Sequence, residues 1–181
     1  MRQVHEDNAG DYAGGEVSAL ARVAWQQAQL AEQVLQAKAQ GASCPLCTED
    51  GGLLVAELEV CRVIRAGEPG FPASYRVALT DHVAEWSDVP IADQLDVMRV
   101  VNVVETTLRE HLHPTKINLA SLGNVVAHVH WHVVARFDWD SHFPAPVWGR
   151  AQRTVDPAHL AVLSQLMPAV DEALRQRLLP W

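Results

Sequence analysis

The strongest constraint on the fold is a short stretch in which three histidines alternate with large apolar residues. It reads His128-Val129-His130-Trp131-His132-Val133-Val134. Such alternation is typical of a β-strand with one buried face, because successive side chains on a strand point to opposite faces. Residues two apart on a strand are separated by about 6.5–7 Å, so the imidazoles are expected to surround a shared ligand without touching one another. The valine and tryptophan side chains are expected to face a core.

The rest of the chain predicts helices and hairpins around this strand. Apolar stripes at helical spacing predict helices over 16–40, 91–112 and 158–179. Pro168 is expected to kink or split the last helix, because an interior proline removes a hydrogen bond. Short apolar runs between turn residues predict further strands over 53–58, 60–65, 75–80 and 116–121. Hairpins without regular alternation of strand and helix indicate the α+β class, here with an antiparallel sheet of about five strands.

One main domain with additions at both ends is the expected organisation. Residues 1–15 are polar and rich in Gly and Asp, and we expect them to be flexible. Residues 16–181 are expected to form a single domain with its core at about 44–136. The helix of 16–40 and the loop plus helix of 137–181 are the predicted additions. The aromatic part of that loop either packs on the core or roofs a pocket; its residues are His142, Phe143 and Trp148.

Composition narrows the classes of function. A net charge of −8 gives no electrostatic footprint for duplex nucleic acid or anionic lipid. No apolar run approaches the roughly 20 residues that span a bilayer, and the start of the chain lacks the apolar segment of a secretory signal. The three cysteines do not suggest a disulfide framework. We therefore expect a soluble, cytoplasmic protein with no nucleic-acid or membrane partner, whose ligand is a small molecule such as a nucleotide.

The histidine run itself has three possible explanations. The first is that these are surface or structural histidines, which would be reasonable for one histidine but is a poor explanation for three on the same face. Imidazoles two residues apart on a strand are common zinc ligands. A neutral imidazole is also a nucleophile that attacks phosphorus without prior deprotonation and gives a phosphoramidate that water opens. On the residues alone, metal binding and nucleophilic catalysis both remain open.

The run resembles the signature of the histidine triad (HIT) superfamily, His-φ-His-φ-His-φ-φ with φ an apolar residue, at every position. Asn118, Gly123 and Asn124 precede it much as an Asn or Gln, a Gly and a Gln precede the triad in the hydrolase branches. The resemblance spans about residues 44–136. It implies a nucleotide-binding α+β homodimer that acts as a nucleotidyl hydrolase or transferase, in a branch similar to the diadenosine polyphosphate hydrolases.

The resemblance also implies roles for individual residues. His130 would be the nucleophile that becomes nucleotidylated, and His132 would contact the α-phosphate or the bridging oxygen of the leaving group. Asn118 and the Gly123–Asn124 bend would hold phosphate oxygens, although ordinary turn chemistry is the alternative explanation for both asparagines. A glycine-containing bend can present backbone N–H groups to an anion. One nitrogen of His130 is expected to be held by a backbone carbonyl, which fixes the tautomer.

A second motif, Cys44-Pro-Leu-Cys47, has two explanations of its own. The thiols are either a buried or redox-active pair, or half of a zinc site that needs two further ligands. His82, after the 75–80 strand, and His128 are the candidates for those ligands. Several HIT branches have this arrangement, in which the first triad histidine serves the metal. The resemblance thus implies a structural Zn²⁺ held by Cys44, Cys47, His82 and His128.

The chain departs from the family pattern in two places. Phe71-Pro-Ala-Ser74 stands where many HIT proteins have Pro-Gly-His, and Ala135 stands where a proline usually follows the triad strand, so no ribose-binding residue is assigned.

The leading hypothesis is a hydrolase of AMP-containing phosphoanhydrides, with diadenosine tetraphosphate favoured, or of phosphoramidates. The alternatives are a non-catalytic nucleotide-binding or adaptor protein of the same fold, and a zinc-dependent hydrolase with three histidine ligands.

Overall fold

The computed structural model describes residues 21–25, 27–29, 32 and 41–179. The chain divides into two compact units, residues 1–36 and 37–181. The described residues of the first unit are helical, in agreement with the helix predicted over 16–40. The prediction for residues 1–15 lies outside the described residues, and the assignment of 16–181 to one domain remains a prediction.

The described part of the second unit consists of short strands and two long helices. The strands are β1 (Leu53–Glu57), β2 (Cys61–Arg65), β3 (Ser74–Leu79), β4 (Lys116–Ser121) and β5 (His130–Arg136). The helices are α1 (Pro45–Thr48), α2 (Ile91–Leu112) and α3 (Pro157–Leu178), with a 3₁₀ turn at Trp86–Asp88. These bounds agree closely with the predictions, except that the histidine strand begins at His130 and leaves His128 in the bend before it. None of the helices in this part of the chain is long and apolar enough to cross a bilayer.

All five strands form one antiparallel sheet in the order β1-β2-β3-β5-β4. The strand that carries His130 and His132 therefore lies inside the sheet, with β3 on one side and β4 on the other. The predicted α+β class, with an antiparallel sheet and flanking helices, is confirmed. An interior strand suits a functional site, because its backbone is fixed by hydrogen bonds on both edges.

The two long helices contribute to a core on one face of this sheet. The buried residues of this core include Val63, Tyr75, Val77, Val101, Leu108, Val133, Met167 and Leu174. Val129 is also buried there, and Trp131 packs against the same core, as the alternation predicted. His130 and His132 consequently project from the opposite face. A smaller cluster on that opposite face consists of Cys44, Leu46, Ile64 and Ala78.

The C-terminal helix α3 is fixed to the sheet by polar contacts at Asp171. The buried Tyr75 hydroxyl donates to Asp171 over 2.8 Å, and Arg65 forms an ion pair with the same carboxylate at 3.0 Å. Of the kink or split predicted at Pro168, the split does not occur, since α3 is continuous through this residue. Proline deprives the Ser164 carbonyl of its helical donor. Both residues are exposed, so water can take the place of that donor.

Candidate functional site

A pocket of about 430 Å³ lies over the sheet face that carries the histidines. The sheet register sets its floor, because His132 on β5 pairs with Arg76 on β3 and His130 pairs with Ala78. These residues share one face of the sheet. The bend after β4 and the α1 segment supply the walls; the lining residues from these segments include Pro45, Leu46, Gly123, Asn124 and Val126. The predicted catalytic residues His130 and His132 are thus brought together in one pocket.

His130 is held in a single orientation by the backbone. Its Nδ1 lies 2.6 Å from the carbonyl oxygen of His128. Because a carbonyl oxygen only accepts, Nδ1 carries the proton and Nε2 keeps a free lone pair. Burial lowers the pKa of His130 below its usual value, against the raising effect of that hydrogen bond. The predicted carbonyl tether is present, and the residue is a neutral imidazole with one nitrogen available for attack.

His132 lies in direct contact with His130. Their ring centroids are 4.8 Å apart with the planes at 67°, so the expectation that the imidazoles would not touch is wrong. Side chains on a strand lean along the strand direction, and this closes the gap that backbone spacing leaves. Burial, and then the electrostatic influence of His130 and Arg76, lower the pKa of His132 to about 4. The ring is therefore neutral at physiological pH.

The predicted phosphate-binding residues separate into two groups. Gly123 and Asn124 line the pocket. Gly123 has φ +122° with open space where a Cβ would lie, so the bend depends on a conformation that favours glycine. Asn118 is not among the lining residues, and its Oδ1 accepts a 2.7 Å hydrogen bond from Arg136. The structure thus places the bend, but not Asn118, at the pocket.

Arg76 is a pocket residue that the sequence patterns did not predict. Its guanidinium lines the pocket, and Nη2 pairs with Glu68 from the loop between β2 and β3. The available signal was a positive charge inside an otherwise apolar strand. Arg76 alternates with Tyr75 and Val77 of the core and so lies on the histidine face.

The loop after β5 closes one side of the pocket and is anchored by a buried ion pair. Arg136 Nε lies 2.8 Å from Asp140, and both side chains are almost fully buried. Asp140 also accepts from the backbone N–H groups of His142 and Phe143 at 2.9 and 2.7 Å. The loop brings the Trp148 ring to a centroid distance of 4.9 Å from His132. Trp148 therefore lines the pocket, and His142 lies in an adjoining cavity of about 120 Å³.

A separate cluster at the other end of the histidine run unites the four predicted metal ligands. The ligand atoms of Cys44, Cys47, His82 and His128 all lie within 4.8 Å of one another. The Nδ1 of His128 lies 3.5 Å from Cys44 Sγ and 3.3 Å from Cys47 Sγ, and His82 Nδ1 lies 3.4 Å from Cys47 Sγ. Tetrahedral zinc with ordinary Zn–S and Zn–N bond lengths places sulfur and nitrogen ligands about 3.5 Å apart. The geometry fits that ion.

The orientation of His128 also fits a metal ligand. Its Nε2 lies 2.9 Å from the carbonyl oxygen of Leu79, so Nε2 carries the proton and Nδ1 offers its lone pair to the cluster. Burial, and then the hydrogen bond that the Cys47 thiol donates to Cys44, raise the pKa of Cys47 to about 11. A raised pKa opposes formation of the thiolate that binds metal. A bound divalent cation stabilises the thiolate and so offsets this effect. Two sulfurs and two imidazoles are a common donor set for structural zinc.

The sequence of residues 47–139, more than half of the chain, matches the HIT domain family. The chain belongs to the HIT family. Proteins of this family bind small nucleotide ligands and are generally nucleotidyl hydrolases or transferases, and many are dimers. The neutral, oriented histidine pair in a pocket is consistent with this family chemistry.

Solved HIT structures resemble the chain over most of their length. A histidine triad protein from Bradyrhizobium japonicum is 25% identical with a TM-score of 0.55, over 70% of this chain and 90% of that one. One from Sinorhizobium meliloti is 26% identical with a TM-score of 0.52, over 65% and 89%. A zinc-bound histidine triad family protein from Mycobacterium smegmatis shares the fold at 20% identity and a TM-score of 0.53, over 75% and 96%. No curated protein matched in the sequence comparison.

Proposed function

We propose that this HIT protein is a nucleotidyl hydrolase that forms a covalent intermediate on His130. The observation that carries the proposal is the 2.6 Å contact between His130 Nδ1 and the His128 carbonyl. It leaves Nε2 unprotonated on a residue that lines the pocket. Burial, which lowers the pKa, keeps the ring neutral, and a neutral imidazole needs no base before it attacks phosphorus.

The proposed reaction has two displacement steps. In the first, Nε2 attacks the α-phosphorus, an N–P bond forms, and the bond from phosphorus to the leaving group breaks with its electron pair on the leaving group. The nitrogen of a phosphoramidate also takes a proton from water and leaves as ammonia. In the second, water attacks the same phosphorus, the N–P bond breaks, and the water proton is released to solvent. His132 contacts the bridging oxygen during departure, and the Gly123–Asn124 bend holds non-bridging oxygens. Asn118 contributes indirectly. Its Oδ1 accepts a hydrogen bond from Arg136, and Arg136 pairs with Asp140 to anchor the loop after β5.

The substrates we propose share an AMP group joined to phosphate or nitrogen. Diadenosine tetraphosphate is the first choice, and adenosine phosphoramidates are the second. We further propose that the protein works as a homodimer. The family membership of the chain supports both the nucleotide substrates and the dimer.

We also propose that Cys44, Cys47, His82 and His128 hold a structural Zn²⁺. The ligand atoms are close enough to share one ion, and the histidine triad protein from Mycobacterium smegmatis is zinc-bound. The ion would tie the α1 segment to the start of β5. It would act on stability and leave the chemistry to His130 and His132.

The proposal is tested by a panel of AMP-containing substrates, measured with and without a chelator. We expect His130→Ala to lower kcat/KM by about 10⁴-fold or more, since the nucleophile is lost. The matched control is His111→Ala, which removes an exposed histidine of α2 and should leave kcat/KM unchanged. Full activity of His130→Ala would contradict the mechanism. Nucleotide binding without turnover of any substrate would favour the adaptor alternative, and activity that a chelator abolishes at once, with the fold intact, would favour the zinc hydrolase.

A further inference from the structure

The pocket has an unusual balance of charge for a protein that binds phosphates. Among the described residues that line it, Arg76 is the one with a permanent positive charge, and Glu49 and Glu68 are acidic. The chain as a whole carries a net charge of −8. Attraction of a polyphosphate to this pocket therefore depends on Arg76.

The hydrogen bonds of Arg76 are only partly satisfied. Nη2 pairs with Glu68, and Nη1 makes a long 3.4 Å contact with the Gly51 carbonyl. Nε is buried and has no partner among the described residues. A guanidinium has five N–H donors in a rigid fork that matches the oxygens of a phosphate. Donors are thus left for a ligand, and the Glu68 carboxylate, one third exposed, occupies part of the fork.

Arg76 and the Gly123–Asn124 bend lie on opposite sides of β5. Arg76 lies on β3 directly opposite His132, while Gly123 and Asn124 follow β4. Neighbouring strands lie about 4.8 Å apart, so β3 and β4 are separated by about 9.5 Å across β5. One phosphate group cannot span that distance, but consecutive phosphates of a polyphosphate can.

We propose that Arg76 binds the phosphate next to the scissile bond in the leaving group and makes the site selective for anionic leaving groups, with Glu68 as the counter-ion that the substrate displaces. This inference rests on the proposed hydrolase function, because it assigns the second phosphate of the same substrate. The α-phosphate lies at His130 and the bend, and the following phosphate reaches the guanidinium beside His132. A substrate whose leaving group is ammonia has nothing to offer Arg76.

The test compares two substrates that donate the same adenylyl group. Diadenosine tetraphosphate has an anionic leaving group, and adenosine 5′-phosphoramidate releases ammonia. One charge-assisted hydrogen bond contributes about 1.5–3 kcal/mol, so Arg76→Leu should lower kcat/KM for diadenosine tetraphosphate about 10–100-fold. The same variant should change kcat/KM for the phosphoramidate less than about 3-fold. An equal loss on both substrates would overturn the inference.

Two further variants separate recognition from folding. Glu68→Gln frees the guanidinium and should raise kcat/KM for diadenosine tetraphosphate about 2–5-fold without helping the phosphoramidate; a fall on both would contradict the role of Glu68. Arg99→Leu removes an exposed arginine of α2 that pairs with Asp96 and should leave both values unchanged. Thermal denaturation and zinc content of Arg76→Leu should match those of the wild type.

A binding measurement distinguishes failure of the inference from failure of the proposed function. ADP carries the second phosphate that AMP lacks, so the wild type should bind ADP more tightly than AMP. In Arg76→Leu the ratio of the two affinities should fall by about 10-fold or more. Absence of turnover by the wild type with this preference intact would overturn the hydrolase and keep the phosphate site. Equal affinities for ADP and AMP in the wild type would overturn the phosphate site, whether or not the wild type hydrolyses the substrates.

Discussion

His128 and His130 lie two residues apart in one run, but their rings are held in opposite ways. His128 has Nε2 at 2.9 Å from the Leu79 carbonyl and turns Nδ1 to the cysteines. His130 has Nδ1 at 2.6 Å from the His128 carbonyl, which leaves Nε2 for the pocket. Because a carbonyl only accepts, each contact decides which nitrogen keeps its lone pair. The surrounding backbone, as well as the motif, therefore determines whether a histidine serves a metal or a substrate.

Removal of a zinc ligand should abolish metal binding and destabilise the protein strongly. Cys47→Ser should abolish stoichiometric zinc binding and lower the free energy of unfolding by on the order of 5 kcal/mol, less than the metal contributes in isolated zinc fingers because the sheet has its own core. Urea denaturation and zinc analysis measure both. Cys61→Ala is the control, since Cys61 is a buried thiol of the main core. Full zinc retention by Cys47→Ser would contradict the site.

Loss of the Asp140 charge should lower stability and disturb the catalytic pocket, and it should leave the zinc site intact. Arg136 and Asp140 are both almost fully buried, and breaking such a pair leaves an uncompensated charge. We expect Asp140→Asn to lower the free energy of unfolding by about 3–5 kcal/mol, raise KM through the loop that carries Trp148, and leave zinc content unchanged. Asp96→Asn, in an exposed pair with Arg99, should cost less than about 1 kcal/mol. Zinc loss in Asp140→Asn would break the separation between the two regions.

A smaller effect should appear in the pH dependence of stability. Burial, and then His130 and Arg76, lower the pKa of His132 to about 4, whereas an unfolded histidine titrates near 6.5. Between these values the unfolded chain binds more protons at this residue, so the free energy of unfolding falls as pH falls. His132 should account for about 1–2 kcal/mol between pH 7 and pH 5. Urea denaturation of His132→Asn should therefore show a shallower pH dependence, and an unchanged slope would contradict the depressed pKa.

Much of the fold follows from local patterns in the sequence. Alternation assigned Val129, Trp131 and Val133 to the core, and the structure confirms it. The family motif and the Cys-x-x-Cys spacing predicted the four residues that the fold brings within 4.8 Å. These signals are local or belong to a specific motif, so they can be identified without knowledge of the tertiary packing.

The features that were missed depend on contacts between distant segments. Asn118 lies on the histidine face, and its Oδ1 accepts a hydrogen bond from Arg136. This partner was not predicted, because the burial of Arg136 is decided by the loop after β5. Arg76 enters the pocket through the pairing of β3 with β5, which the residues of β3 alone do not specify. The contact between His130 and His132 depends on side-chain direction, which backbone spacing does not give.

Trapping the covalent intermediate tests whether His130 attacks phosphorus and His128 does not. Zinc-loaded wild-type protein is mixed with diadenosine tetraphosphate, quenched within one turnover, and digested for mass spectrometry under conditions that preserve phosphoramidates. One adenylyl group on His130 is the predicted result. An adenylyl group on His128 or His132, or turnover without any adduct on the protein, would contradict the division of the histidine run.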